Sequence, residues 1–278
     1  AHHGGDRGVN GRDEYEVLIV RYGTRSTTRS DVFLNYSVYR EPDAPIEMDY
    51  FCWIARNESR TVVIDTGFSR AGGSARGRTM LIDPRDALAG LGVAPEDEPI
   101  VVVTHAHYDH IGNLAHFGRS PVVVARAEVK FWAGPHGRHP LFRHSVEDDE
   151  LHALATAVDS GRAILFEDRY QVADGIEVIR VGGHTPGQAV VTVRTADGPV
   201  LLASDAVHYY EECDSNMPFM SVANLVDMYA GFDQVRAMVA DGSARHVVSG
   251  HDPATLGRFA AADGPPGAQV AVIGKLAS

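Results

Sequence analysis

Cysteine is scarce in this chain: Cys52 and Cys213 are the only two in 278 residues. Two thiols build neither a disulfide framework nor a thiolate zinc cage, which leaves a reducing cytoplasm as the expected compartment. Long apolar runs are missing as well. None approaches the roughly 20 residues a bilayer-spanning helix needs, so no membrane association is expected. Positive charge is in deficit, since 25 Lys and Arg against 37 Asp and Glu leave a formal net charge of −12. Nucleic-acid binding is driven by Lys and Arg releasing counterions from phosphates, so it is not expected either. Gly72-Gly73 and Gly182-Gly183 lack the Gly-Lys-Ser/Thr ending of a phosphate loop and read as turns. Ser204 lacks the Gly-x-Ser-x-Gly setting of a strained nucleophile, so no Ser-His-Asp triad is invoked.

What is present is an ordinary globular composition, 44% hydrophobic and 22% charged, in a chain long enough to bury roughly three quarters of its unfolded surface. The first residues, 1–13, have no apolar signal core and read as a flexible leader or tag remnant. Residues 14–278 read as one domain. Short runs rich in Val and Ile predict strands at 17–21, 50–55, 61–65, 100–104, 121–125, 176–181, 189–194 and 200–203. Helical patterns fall at 84–91, opened by Asp83 as N-cap and Pro84 at the first position, and at 125–132, 146–160 and 225–240. The stretch 131–166 interrupts the strand rhythm with aromatics, four histidines (His136, His139, His144, His152) and the acidic run 147–150. It reads as a helical insertion over one face, its acids forming a solvated helix start.

The informative stretch is Thr104-His105-Ala106-His107-Tyr108-Asp109-His110, which follows the apolar run Ile100-Val101-Val102-Val103. His105 and His107, two apart in extended chain, point to one side. Asp109 and His110 reach around to a second position, so one loop can serve two cations. Imidazole and carboxylate suit zinc best, with iron and manganese as alternatives. Three further ligand types stand at the ends of expected strands: His184 in Gly182-Gly183-His184-Thr185-Pro186-Gly187-Gln188, Asp205 in Leu201-Leu202-Ala203-Ser204-Asp205-Ala206, and His251 in Val247-Val248-Ser249-Gly250-His251-Asp252-Pro253. Every one is delivered to a common edge.

These motifs, with Val62-Val63-Ile64-Asp65-Thr66-Gly67 before them, resemble the metallo-β-lactamase superfamily over most of the chain. The resemblance implies an α/β, four-layer αβ/βα sandwich of two similar halves with a metal pair at one edge. It implies that His105, His107 and His184 hold the first metal, that Asp109, His110 and His251 hold the second, and that Asp205 bridges them. Asp65 is then expected to orient a ligand imidazole from behind. Within the superfamily the chain is most similar to the N-acyl homoserine lactonases, through His-x-His-Tyr-Asp-His, His-Thr-Pro-Gly-Gln and Ser-Asp-Ala. That family usually carries a tyrosine three residues beyond the bridging aspartate, where this chain has His208 followed by Tyr209 and Tyr210. Either His208 serves as the donor, or Tyr209 is brought into the role, or the substrate differs.

The chemistry implied is lactone opening, with attack by a hydroxide shared between two zinc ions roughly 3.5–4 Å apart and Asp109 as proton acceptor. Met217, Phe219 and Met220, with Phe131, Trp132 and Phe142 from the insertion, are expected to line an acyl pocket. A glyoxalase II-type thioesterase, or another lactone or ester hydrolase of secondary metabolism, shares every ligand. A mononuclear iron persulfide oxidoreductase uses only the first set, and the complete second set speaks against it. Tyr36 and Tyr39, expected to be exposed, suggest a homodimer.

Overall fold

The computed structural model describes residues 12–277, so most of the leader expected at 1–13 lies outside the described residues. The strands are β1 (Glu16–Thr28), β2 (Pro45–Arg56), β3 (Thr61–Ile64), β4 (Thr79–Met80), β5 (Ile100–Val102), β6 (Val122–Ala125), β7 (Ala163–Phe166), β8 (Arg169–Ala173), β9 (Ile176–Arg180), β10 (Ala189–Val193), β11 (Val200–Ser204), β12 (His246–Ser249), β13 (Ala260–Ala262) and β14 (Gln269–Ile273). One sheet has the order β13-β14-β1-β2-β3-β5-β6-β7, with β4 also paired to β1, and the other runs β12-β11-β10-β9-β8. The sheets are unequal, nine strands against five, because β13 and β14 return to the first.

Two-residue periodicity sorts the core into layers. Along β1, Val17 and Ile19 face the second sheet and meet Val178, Val191 and Leu202 across the interface, whereas Leu18 and Val20 face outward. That outward face is covered by Leu88 of the helix Pro84–Gly90, Trp132 of the helix Arg126–Ala133 and Leu154 of the helix Asp148–Asp159. Met228, Phe232 and Val235 of the helix Leu225–Ala240 cover the second sheet's outer face. Helix, sheet, sheet, helix is the four-layer order expected. Strands buried on both faces lose polar alternation, which is why they stand out as Val and Ile runs.

Parallel pairing fixes where the site lies. Strands β3, β5, β6 and β7 run parallel in the first sheet, and β11 and β12 run parallel in the second. Ligands gather beyond the carboxyl ends of parallel strands. Here Asp65 follows β3, His105 follows β5, Asp205 follows β11 and His251 follows β12.

Several expectations shift. The helical part of the insertion begins at Arg126 and ends at Asp159; residues 163–166 are instead the edge strand β7, whose four residues are too few to show a period. Of the acidic run, Asp148 and Asp149 are solvated but Glu150 is buried, accepting from Ser69 Oγ at 3.3 Å. Tyr36, expected on the surface, is buried, its hydroxyl accepting from Arg29 Nε at 2.9 Å and donating to the Pro42 carbonyl at 3.1 Å. Tyr39 is half-buried, packing partly against the same core. Among the described residues no helix is long and apolar enough to cross a membrane, and both cysteines are free thiols.

Candidate metal centre

Two residues in left-handed backbone turn the ligand loops inward. Asp65 has φ 60° just beyond β3, and Ser204 has φ 46° at the end of β11. Such strain costs about 1–3 kcal/mol at a non-glycine residue and persists only where surroundings fix it. The fixing bonds are present: Asp65 accepts from Thr104 N at 2.8 Å, Thr104 Oγ1 at 2.6 Å and His110 Nδ1 at 2.6 Å, while Ser204 Oγ lies 2.8 Å from Thr104 Oγ1. Gly250 permits a close approach, since a Cβ there would stand 2.5 Å from the Ser204 carbonyl and 2.7 Å from Asp205 Oδ1.

His105, His107 and His184 form one group of donors and Asp109, His110, Asp205 and His251 a second, while His184 and Asp205 also group with His208; all are buried, with the donor atoms of each group within 4.8 Å of one another. Asp205 stands between the first two. Its Oδ2 is 3.5 Å from His105 Nε2 and 3.3 Å from His184 Nε2, while its Oδ1 is 3.3 Å from His110 Nε2 and 3.1 Å from His251 Nε2, which also lies 3.3 Å from Oδ2. Asp109 Oδ2 lies 3.5 Å from His110 Nε2 and 3.4 Å from His251 Nε2. The rear nitrogens are occupied: His184 Nδ1 donates to the Ser221 carbonyl and His251 Nδ1 to the Asp49 carbonyl, each at 2.7 Å. That fixes the tautomer with Nε2 facing inward.

Burial, reinforced by neighbouring imidazoles, holds His105, His107 and His184 below the ordinary imidazole range, so they stay neutral with free lone pairs. At His110 burial also opposes charge, but Asp205, Asp109 and Asp65 outweigh it and lift the ring well above that range. Burial would raise Asp205, yet His110, His251 and His208 hold it well below the carboxylate range. The second group therefore draws positive charge. Nε2 of His105 and His110 and Oδ1 of Asp205 are buried without a hydrogen-bond partner among the described residues, at about 1–3 kcal/mol for each such group. Converging unpaired imidazole and carboxylate donors, with no thiol among them, fit divalent metal ions of the zinc, iron or manganese kind.

A cavity of about 1010 Å³ opens over this centre. His107, Asp109, His184, Asp205 and His251 reach its wall, and so do Phe131, Trp132, Phe142, Phe219 and Met220. Met217 does not line it and is buried in the core. Neither His208 nor Tyr209 is among the lining residues. His208 is fully buried behind Asp205, its Nε2 3.3 Å from Asp205 Oδ2, its Nδ1 3.2 Å from Glu212 Oε2 and its ring stacked on Phe219 at 3.8 Å. Opposed by burial, Glu212 and Asp205 nevertheless raise its pKa to about 9. The Tyr209 hydroxyl donates to the Glu47 carbonyl at 2.9 Å and its ring packs beside Phe33, away from the cavity. Of the insertion's histidines, His139 and His144 reach the cavity wall although their sequence spacing gave no sign of it.

Sequence reasoning passed over Glu128. Fully buried in the helix Arg126–Ala133, it accepts from Ala106 N, Trp132 Nε1, Thr185 Oγ1 and Gly187 N, at 2.9, 2.8, 2.7 and 2.9 Å. It thereby ties the His105–His107 loop to the turn that carries His184. Its partners lie 22 to 59 residues away, except Trp132, so no local pattern marks it. Arg25, Arg78, Tyr50 and Tyr108 on the cavity wall were likewise unassigned.

Fold and centre together define an αββα sandwich with a buried His/Asp metal centre beneath an open cavity. The family model of the Metallo-beta-lactamase superfamily matches residues 47–236, and the chain belongs to that superfamily. An N-acyl homoserine lactonase of Bacillus sp is 24% identical over 227 residues, which span 76% of this chain and 81% of that protein. A solved quorum-quenching N-acyl homoserine lactone lactonase superposes with a TM-score of 0.73 at 19% identity, covering 87% of this chain and 95% of that one. AidC, a dizinc quorum-quenching lactonase solved in complex with a product, gives 0.70 at 17% identity, with 97% of each chain covered.

Proposed function

We propose that this protein is a lactone hydrolase working with two divalent cations, zinc foremost, and that N-acyl homoserine lactone-like compounds are its substrates. The observation that carries the reading is the position of Asp205, one carboxylate oxygen facing His105 and His184 and the other facing His110 and His251. A carboxylate so shared suits two cations better than one. The likeness to named lactonases supports the substrate class.

In this reading His105, His107 and His184 hold one cation, Asp109, His110 and His251 the other, and Asp205 both. Bound there, the pair would supply Lewis acidity and a water acidic enough to ionise near neutral pH. The chain's own groups do the rest. Asp65 aligns the His110 ring through the 2.6 Å bond to Nδ1, and His208, held by Glu212, backs Asp205 from the side away from the cavity. Asp109 reaches the cavity wall and takes up the proton that the attacking water loses, at its carboxylate. Phe131, Phe142 and Met220 offer an apolar wall to an acyl chain and exclude water from it.

The test is proton release by the zinc-loaded protein with N-hexanoyl homoserine lactone, plain γ- and δ-lactones, and a glutathione thioester. Lactone opening that a chelator abolishes is expected. Turnover of the thioester alone would replace this reading with a thioesterase.

A further inference from the structure

Two arginines of the cavity wall, Arg25 and Arg78, form no salt bridge with a carboxylate among the described residues. Arg25 lies on β1 opposite Met48 of β2, which also lines the cavity. Strand β4 pairs antiparallel with β1 through Gly23↔Met80 and Thr24↔Thr79, so Arg78, the residue before β4, and Arg25 each come one position beyond the last pair, at the same end of the ladder. Like charges set opposite each other destabilise a strand pair. Among the described residues neither guanidinium forms a salt bridge, whereas nearby Arg21 pairs with Asp49 at 2.9 Å and Arg76 with Glu147 at 2.5 Å.

The remaining bonds of the two arginines leave their charge intact. Arg25 Nε is buried without a hydrogen-bond partner. Arg78 donates Nε to the Tyr108 hydroxyl at 2.9 Å and Nη1 to the Arg76 carbonyl at 2.7 Å, both neutral acceptors. Burial raises the Tyr50 hydroxyl well above its ordinary range while Arg78 and Arg25 both act against it, and all three residues line the cavity. Asp109 and Asp205 are the only carboxylates among the lining residues, and both belong to the metal centre. An acidic protein has thus kept two cations together inside its substrate cavity.

We propose that Arg25 and Arg78 form an anion-recognition subsite, and that the substrate is a lactone carrying a second group, a carboxylate, remote from the ring that is opened. The guanidinium fork matches a carboxylate bidentately, and an acceptor lodged there relieves both the unpaired Nε and the repulsion across β1 and β4. A wholly neutral acyl chain would leave both unrelieved. The inference rests on the lactone reading for the reaction but on the arginines for the subsite.

Calorimetric titration of the zinc-loaded protein with adipate and with hexanoate separates the two. Each has six carbons and one carboxylate for the metal centre, and only adipate has a second for the arginines. At least tenfold tighter binding of adipate is expected, falling to within twofold in the double variant Arg25→Gln/Arg78→Gln, with Arg25→Gln alone read if the double variant does not fold. A parallel tenfold advantage in kcat/KM is expected for N-adipoyl over N-hexanoyl homoserine lactone. Equal affinities in the unaltered protein, or a preference that survives the substitutions, would overturn the subsite. Adipate preference without turnover of any lactone would keep the subsite and remove the hydrolase reading.

Discussion

Glu128→Gln should loosen the metal centre without touching a ligand. In the unaltered chain each carboxylate oxygen takes two donors, Ala106 N and Trp132 Nε1 on Oε1, Thr185 Oγ1 and Gly187 N on Oε2. An amide has one oxygen, so its NH2 must face one of these pairs. The least costly choice sets it toward Thr185, whose hydroxyl can rotate to accept, and orphans Gly187 N at about 1–3 kcal/mol. The bonds that remain weaken from charge-assisted to neutral, which adds about 1 kcal/mol, partly offset because a charge is no longer buried. A net loss of about 2 kcal/mol follows, a sizeable fraction of the 5–15 kcal/mol typical of a folded domain. Guanidinium unfolding in excess zinc and in chelator would read it as a lower midpoint in both. Because the freed loops carry His105, His107 and His184, zinc affinity should also fall about 10–100-fold. A variant within 0.5 kcal/mol of the parent that binds zinc equally well would refute the reasoning.

Glu150 gives a pH-dependent test. Burial, with Glu147 adding to it, raises its pKa from 4.5 to about 7. A raised acid is bound by its proton more tightly in the folded state than in the unfolded one, so its contribution favours folding at low pH and is lost as pH climbs from about 4.5 to 7. Glu150→Gln should accordingly be more stable than the parent at pH 8 by about 1–3 kcal/mol, discounted for partial solvation, and nearly equal to it at pH 5; a constant difference across that range would contradict the assignment. Gly250→Ala, whose new methyl would press on Asp205 Oδ1, should lower bound metal per chain in elemental analysis, and full occupancy would show that the loop yields. Asp65→Ala removes the acceptor for His110 Nδ1 and for two Thr104 donors; it should weaken one metal equivalent about 10–100-fold in competition with a chromophoric chelator while sparing the other.

The ligands were readable because four of them fall within six residues after an apolar strand, and because β-branched runs buried on both faces announce the strands that deliver the others. The edges were not. Strand β13 is three alanines, β8 alternates weakly with exposed arginine and glutamine, and β7 is four residues next to helices, so none carries a period that outweighs its neighbourhood. Glu128 falls inside a helix legible from pattern, yet its function depends on loops far along the chain. Arg25 and Arg78 become neighbours only through the β1–β4 register. Tyr209 and Met217 show the reverse limit: proximity in sequence to Asp205 does not decide which way a side chain turns, and both face the core.

The central claim is that Asp205 holds two cations at once, and metal stoichiometry tests it most directly. Elemental analysis of protein prepared without chelator should find two zinc equivalents per chain, falling to one or fewer in Asp205→Ala as turnover disappears. A single iron per chain in the parent, or two zinc equivalents retained by the variant, would contradict the account.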